Sequence, residues 1–125
     1  MGKKLLLLFV AFVFVLSSCS DYKKVGFDGK IKYEIKKLGL EDNFIFTGLV
    51  RTCEIPKLLS TLDLVVHCSL REGLARVLPC ALAAKVPVVS FDIDGAKEVV
   101  KDYKTGFLVP PENADLLKEK IIEIL

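Results

Sequence analysis

One stretch constrains the fold more than any other: an apolar run, Leu64 to His67, leads into the polar loop Ser69-Leu-Arg-Glu-Gly, then a short helical segment, then a second apolar run from Val86 to Phe91. Two apolar runs of strand length joined through a helix form a βαβ crossover, because parallel neighbours cannot be linked by a tight turn. The stretch continues to a second glycine turn near Gly95, so the organising unit spans Ser69 to Val100.

The flanking segments repeat the alternation. Ile31, Ile35 and Leu38 fall at i, i+4 and i+7, with Asp28 placed to cap their helix and Gly39 to stop it. Asn43 to Gly48 reads as a short strand ending at glycine, and Ile55, Leu58, Leu59 and Leu62 repeat with helical spacing behind Pro56, which a first turn tolerates. Short apolar strands alternating with amphipathic helices of about ten residues predict an open parallel sheet with helices on both faces, an α/β fold. A chain of 125 residues, 52% hydrophobic and 27% charged, fits one small domain or a piece of a larger one.

The first twenty residues differ from the rest. Lys3 and Lys4 precede twelve apolar residues, Leu5 to Leu16, followed by Ser17, Ser18 and Cys19. Those are the parts of a secretory signal, and Leu16-Ser17-Ser18-Cys19 resembles a bacterial lipobox that would anchor an exported lipoprotein at Cys19. The run is short for a transmembrane helix, which needs about 20 residues. Parallel strands are also continuously apolar, so a buried strand or helix is the competing reading, with the chain then cytoplasmic or membrane-associated through residues 1–20. The composition turns polar over Asp21 to Gly29, and the domain is expected to start near Val25.

Several chemistries drop out early. The net charge is only +2, and no run of Lys and Arg with interleaved aromatics argues for nucleic acid. Cys19, Cys53, Cys68 and Cys80 form no CxxC pair and His67 is the single histidine, so no metal site is expected. Cys53, Cys68 and Cys80 read as small, partly buried thiols and His67 as a strand residue. Gly26-x-x-Gly29 falls short of the dinucleotide fingerprint, which needs a third glycine after a strand.

In open parallel sheets ligands bind beyond the carboxyl ends of the strands. Three loops are expected there: Gly48-Leu49-Val50, Ser69 to Arg76, and Asp92 to Ala96. The middle loop holds Glu72 beside Gly73, whose missing side chain lets the backbone approach a ligand, and it leads into a helix with Pro79 in its first turn. A helix start suits a phosphate, and an ionised Glu accepts from two hydroxyls of a sugar. Both in one loop point to a sugar nucleotide; the competing reading of Arg71 and Glu72 is a solvated surface pair.

From about Val25 to Leu125 the sequence resembles the C-terminal, donor-binding domain of the glycosyltransferase family 4 (group 1) enzymes. The matching segments are VGFDGKIKYEI with LGLEDNFIFTGLV, then DLVVHCSLREGLARVLPCALAAKVPVVSFDIDGAKEVV, then TGFLVPPENADLLKEKI. The resemblance implies a Rossmann-like, doubly wound half-domain of a GT-B fold, and, in an intact relative, transfer of a sugar from a nucleoside diphosphate to a hydroxyl acceptor with anomeric retention. No cofactor is implied beyond that donor.

It further implies that Glu72 sits near the donor sugar, while Gly73, Leu74 and Ala75 lie near sugar and diphosphate, and Arg76, Val77 and Leu78 approach the helix start. Gly48 and Leu49 match a loop near the base, and Gly95 belongs to a turn whose usual middle is altered by Ala96 and Lys97. Glu98 has two readings, a site residue or a cap of its own helix. The family's second glutamate, at the ribose, falls on Cys80, which cannot replace a carboxylate as acceptor. The Arg and Lys that the family sets against the diphosphate, and its acceptor-binding N-terminal domain, have no counterpart in the segments quoted. The expectation is therefore a donor-binding piece that binds weakly and does not turn over without a separate acceptor domain, or a non-catalytic binding remnant.

Overall fold

The structure, a computed structural model, describes residues 27–48, 50–93 and 95–125. Its first element is helix α1, Phe27–Lys37. The helix already contains Asp28, so this residue does not stand before the helix as its cap; Gly39, by contrast, ends it as expected. Gly39 adopts a φ of 65°, its N–H bonds the Lys36 carbonyl, and Leu40 N–H reaches back to Ile35 O, closing a Schellman motif.

The expected strand at 43–48 does not form. Glu41–Asn43 is a 3₁₀ turn, and Phe44 to Gly48 pair with no strand among the described residues, leaving Ile45 and Phe46 exposed. A strand is defined by its partner as much as by its own residues, and β propensity alone could not supply one here. A second 3₁₀ turn, Thr52–Glu54, runs into α2, Ile55–Leu59, with Pro56 in the first turn. This helix stops short of Leu62, where Ser60 and Thr61 hydroxyls bond the Lys57 and Leu58 carbonyls, yet Leu62 is buried all the same.

The rest is the βαβ frame: β1 (Val65–His67), α3 (Val77–Ala83), β2 (Val88–Phe91), α4 (Ala96–Val99), β3 (Gly106–Val109) and α5 (Ala114–Ile124). The three strands form one parallel sheet in the order β1-β2-β3. All four residues of the central strand β2 are buried. Successive strand residues point to opposite faces, so both faces of the sheet are covered, and such a strand is apolar almost throughout, Ser90 being the one polar residue of β2. Helix α3 packs on β1 and β2, and α5 on β2 and β3.

Leu59, Leu78, Val88, Val89, Val100 and Val109 are fully buried, each contributing about 1.5–3 kcal/mol of apolar transfer. Gly106 lets β3 approach β2, since a Cβ there would run into the Val88 carbonyl. At α5, Asn113 accepts the Leu116 N–H at 3.0 Å as an N-cap.

Candidate functional site

Because β1 and β2 run parallel, the loops that follow them leave from the same edge of the sheet. The first runs from Cys68 to Arg76, the second from Asp92 to Gly95, and they are tied together: Gly95 N–H donates to the Gly73 carbonyl at 2.7 Å. Nothing larger than hydrogen fits at Gly95, where a Cβ would lie 2.6 Å from that oxygen and 3.3 Å from Leu74 Cα. The second loop then turns directly into α4, with Gly95 at its N-cap and Ala96 buried.

Helix α3 begins without a side-chain cap: Arg76 precedes it in helical conformation and makes no capping bond. Leu78 N–H bonds Ala75 O and Cys80 N–H bonds Arg76 O, whereas the N–H groups of Ala75, Arg76 and Val77 donate to no carbonyl among the described residues. Pro79, in the first turn, has no N–H to leave unpaired. Such an end carries unpaired donors and the positive pole of the helix. Arg71 and Arg76 are exposed and form no ion pair among the described residues.

Glu72 is not a free surface carboxylate. Its Oε2 lies 3.1 Å from His67 Nε2, and His67 Nδ1 lies 3.2 Å from Ser90 Oγ on the neighbouring strand. Ser90 Oγ also stands 3.0 Å from the carbonyl of Phe91. Glu72 is thus held by the last residue of β1, which is held by the centre of β2. His67 lies in a strand as expected, but its contact with Glu72 is not visible from sequence spacing; the available signal was Ser90, a lone polar residue inside the apolar run Val86 to Phe91.

Of the other residues singled out, Gly73, Leu74, Ala75, Arg76, Val77, Leu78 and Gly95 belong to this edge. Ala75, Val77 and Leu78 are buried, so only their backbone can meet a ligand. Gly48 has a positive φ of 62°, is exposed, and is joined to the other two loops by no hydrogen bond among the described residues. Leu49, Asp94, Cys19 and the apolar residues 1–20 lie outside the described residues. Glu98 is exposed in the first turn of α4, and its side chain makes no capping bond.

The cysteines differ from expectation: Cys53 and Cys80 are exposed, and only Cys68 is partly buried. Cys80 sits on the outward side of α3, while its neighbour Ala81 fills the core. Burial pushes the Cys68 thiol above its ordinary value. Among the described residues no His, Cys, Asp and Glu side chains gather into a metal-sized cluster, and no helix is long and apolar enough to cross a membrane.

An open parallel sheet with helices packed on it, its βα loops leaving one edge, is the architecture of a Rossmann-like half-domain. The family model of glycosyl transferases group 1 matches residues 25–125, and the chain belongs to that family. It is 29% identical over 102 residues to the alpha-D-kanosaminyltransferase of Streptomyces kanamyceticus, covering 78% of this chain and 26% of the relative. To the poly(ribitol-phosphate) alpha-N-acetylglucosaminyltransferase of Staphylococcus aureus it is 32% identical over 103 residues, or 78% and 20% of the two chains.

Among solved structures, Anabaena HepE in complex with UDP superposes with a TM-score of 0.69 at 31% identity, over 82% of this chain and 29% of that one. The C-terminal domain of the group 1 protein LpcC from Francisella tularensis gives 0.73 at 27% identity, over 82% and 53%. These neighbours are GT-B glycosyltransferases, and the fold here is the corresponding α/β half-domain. The chain spans about a quarter or less of the length of these curated relatives.

Proposed function

We propose that residues 25–125 form the nucleotide-sugar-binding part of a retaining glycosyltransferase. The observation that carries this is the Gly95 to Gly73 bond, which ties the loop that holds Glu72 and leads into α3 to the loop after β2, at the carboxyl edge of the sheet. In this reading the N–H groups of Ala75 to Val77 hold the diphosphate, aided by the α3 dipole and Arg76. Glu72 accepts hydrogen bonds from the donor sugar's hydroxyls. Support comes from HepE, which was solved with UDP and with UDP-glucose.

The chemistry assigned to a complete enzyme is transfer of the sugar to a hydroxyl acceptor with its anomeric configuration kept. The leaving diphosphate gains negative charge as the glycosidic bond breaks, and preorganised donors at a helix start stabilise that charge best. In this reading the hydroxyl acceptor is bound by a separate N-terminal domain. The resident compartment turns on residues 1–20, and mass spectrometry of the expressed chain reads it: cleavage before Cys19 with a lipid adduct marks an exported lipoprotein, and an intact Met1 in the soluble fraction rejects it.

Calorimetry tests the donor reading. The full chain is expected to bind UDP-glucose or GDP-mannose at millimolar concentration or better, and Glu72→Ala is expected to weaken nucleotide-sugar binding more than binding of the free nucleotide. A folded wild-type chain that takes up neither donor overturns the reading.

A further inference from the structure

We infer that His67 is a positioning residue for Glu72: anchored by Ser90, its Nε2–H fixes the direction of the carboxylate that faces the donor sugar. This rests on the donor-site reading above.

The argument starts in β2. Ser90 is fully buried and is the only polar residue in the buried core among the described residues, with Val89 and Phe91 on either side. A buried hydroxyl costs stability unless it is bonded, and valine would fill this strand position without that demand. Phe91 O does not need the hydroxyl, because it already accepts Ile93 N–H at 2.9 Å. What Ser90 uniquely does is meet His67, its direct partner in the strand register.

The proton count then assigns the ring. If Ser90 donates to Phe91 O, His67 Nδ1 must supply the proton between itself and Ser90; a neutral ring would then leave a bare Nε2 facing a carboxylate, and only the imidazolium satisfies both ends. If Ser90 instead donates to Nδ1, the neutral ring carries its proton on Nε2. With Glu72 as a carboxylate, which can only accept, both arrangements place a proton on Nε2, aimed at Glu72 Oε2 across 3.1 Å.

The exposures differ in the way a support and a contact group should. The His67 side chain is 11% exposed and that of Glu72 is 43% exposed. A hydrogen bond from a shielded ring to a carboxylate is stronger than one in water. Glutamate has a long, rotamer-rich side chain, and holding it before the ligand arrives removes an ordering cost from binding.

The test uses the full chain with UDP-glucose and with UDP. His67→Asn keeps a group near Nδ1 but removes the donor at Nε2, while His67→Gln places an amide N–H near Nε2. Positioning predicts that His67→Asn weakens UDP-glucose binding about tenfold, leaves UDP within about twofold, and adds nothing to Glu72→Ala in the double variant. His67→Gln should recover most of the loss.

Wild-type affinity in His67→Asn, equal losses for UDP and UDP-glucose, or full additivity with Glu72→Ala would each overturn it. Because His67 is the single histidine, the imidazole ¹⁵N spectrum of the unmutated chain reads it even if a variant fails to fold. A protonated Nε2 that exchanges faster in Glu72→Ala supports the role, and a bare Nε2 rejects it. If wild-type chain binds no UDP-glucose, the donor reading falls and this role falls with it; if only the His67 results are negative, the donor reading stands.

Discussion

The amide of Gly95 donates to the carbonyl of Gly73 across 2.7 Å, and a Cβ on Gly95 would stand 2.6 Å from that same oxygen. One glycine therefore both ties two loops together and permits the approach. Gly95→Ala is expected to push the loop after β2 away from the loop after β1, costing about 1–3 kcal/mol as overpacking does. Urea unfolding measures that loss. UDP-glucose binding should drop in the same variant, and unchanged stability together with unchanged binding would contradict the tie.

Helix α3 ends on a left-handed residue that is not glycine. Lys85 has a φ of 61°, its N–H bonds Leu82 O, and Val86 N–H bonds Ala81 O, the same Schellman pattern that Gly39 completes after α1. A side chain in this conformation costs about 1–2 kcal/mol. Lys85→Gly is thus expected to raise stability by about 1 kcal/mol, less the added freedom of the unfolded chain, in a urea midpoint comparison. Gly39→Ala should move in the opposite direction by a similar amount.

Cys80 stands where the resemblance places a carboxylate for the ribose, and it is exposed on α3. Cys80→Glu adds an acceptor without disturbing the core, since the neighbouring Leu78 and Ala81 carry the packing. Tighter binding of UDP, by about tenfold for a charge-assisted hydrogen bond, is the expected calorimetric result. No gain would show that the ribose does not lie over this turn.

Burial raises the Cys68 thiol above its ordinary value. The thiolate is the reactive form, so at pH 8.5 iodoacetamide should label Cys68 more slowly than exposed Cys53 and Cys80, as peptide mapping would record. The linkage has a definite sign: the unfolded chain loses this proton first, so the group's contribution to stability is complete below the unfolded pKa and fades as pH rises through the folded one. Faster labelling of Cys68 in the native protein would contradict its burial.

Much of this was written locally. The run Val86 to Phe91 reads as a strand and holds β2, and Ile31 and Ile35 lie on α1 with Gly39 stopping it where expected, although Leu38 falls past the end of the helix and is exposed. The loop from Ser69 to Arg76 lies at the carboxyl edge of the sheet and runs into α3, as its glycine and the proline-marked helix start predicted. Each of these depends on the chemistry of residues a few positions apart. Asn43 to Gly48 shows the limit: its residues suit a strand, but pairing needs a neighbour, and none of the described strands takes that place.

The sequence by itself determined the class of the fold, the β1–α3–β2 crossover and the family, because apolar period, glycine placement and loop chemistry are properties of short windows. Tertiary structure decided what those windows cannot hold. His67 and Ser90 are 23 residues apart and meet only because β1 and β2 pair in parallel. Gly95 reaches Gly73 only because both loops leave the same sheet edge. The burial of Cys68 and exposure of Cys80 likewise follow from which side of a packed element each residue occupies.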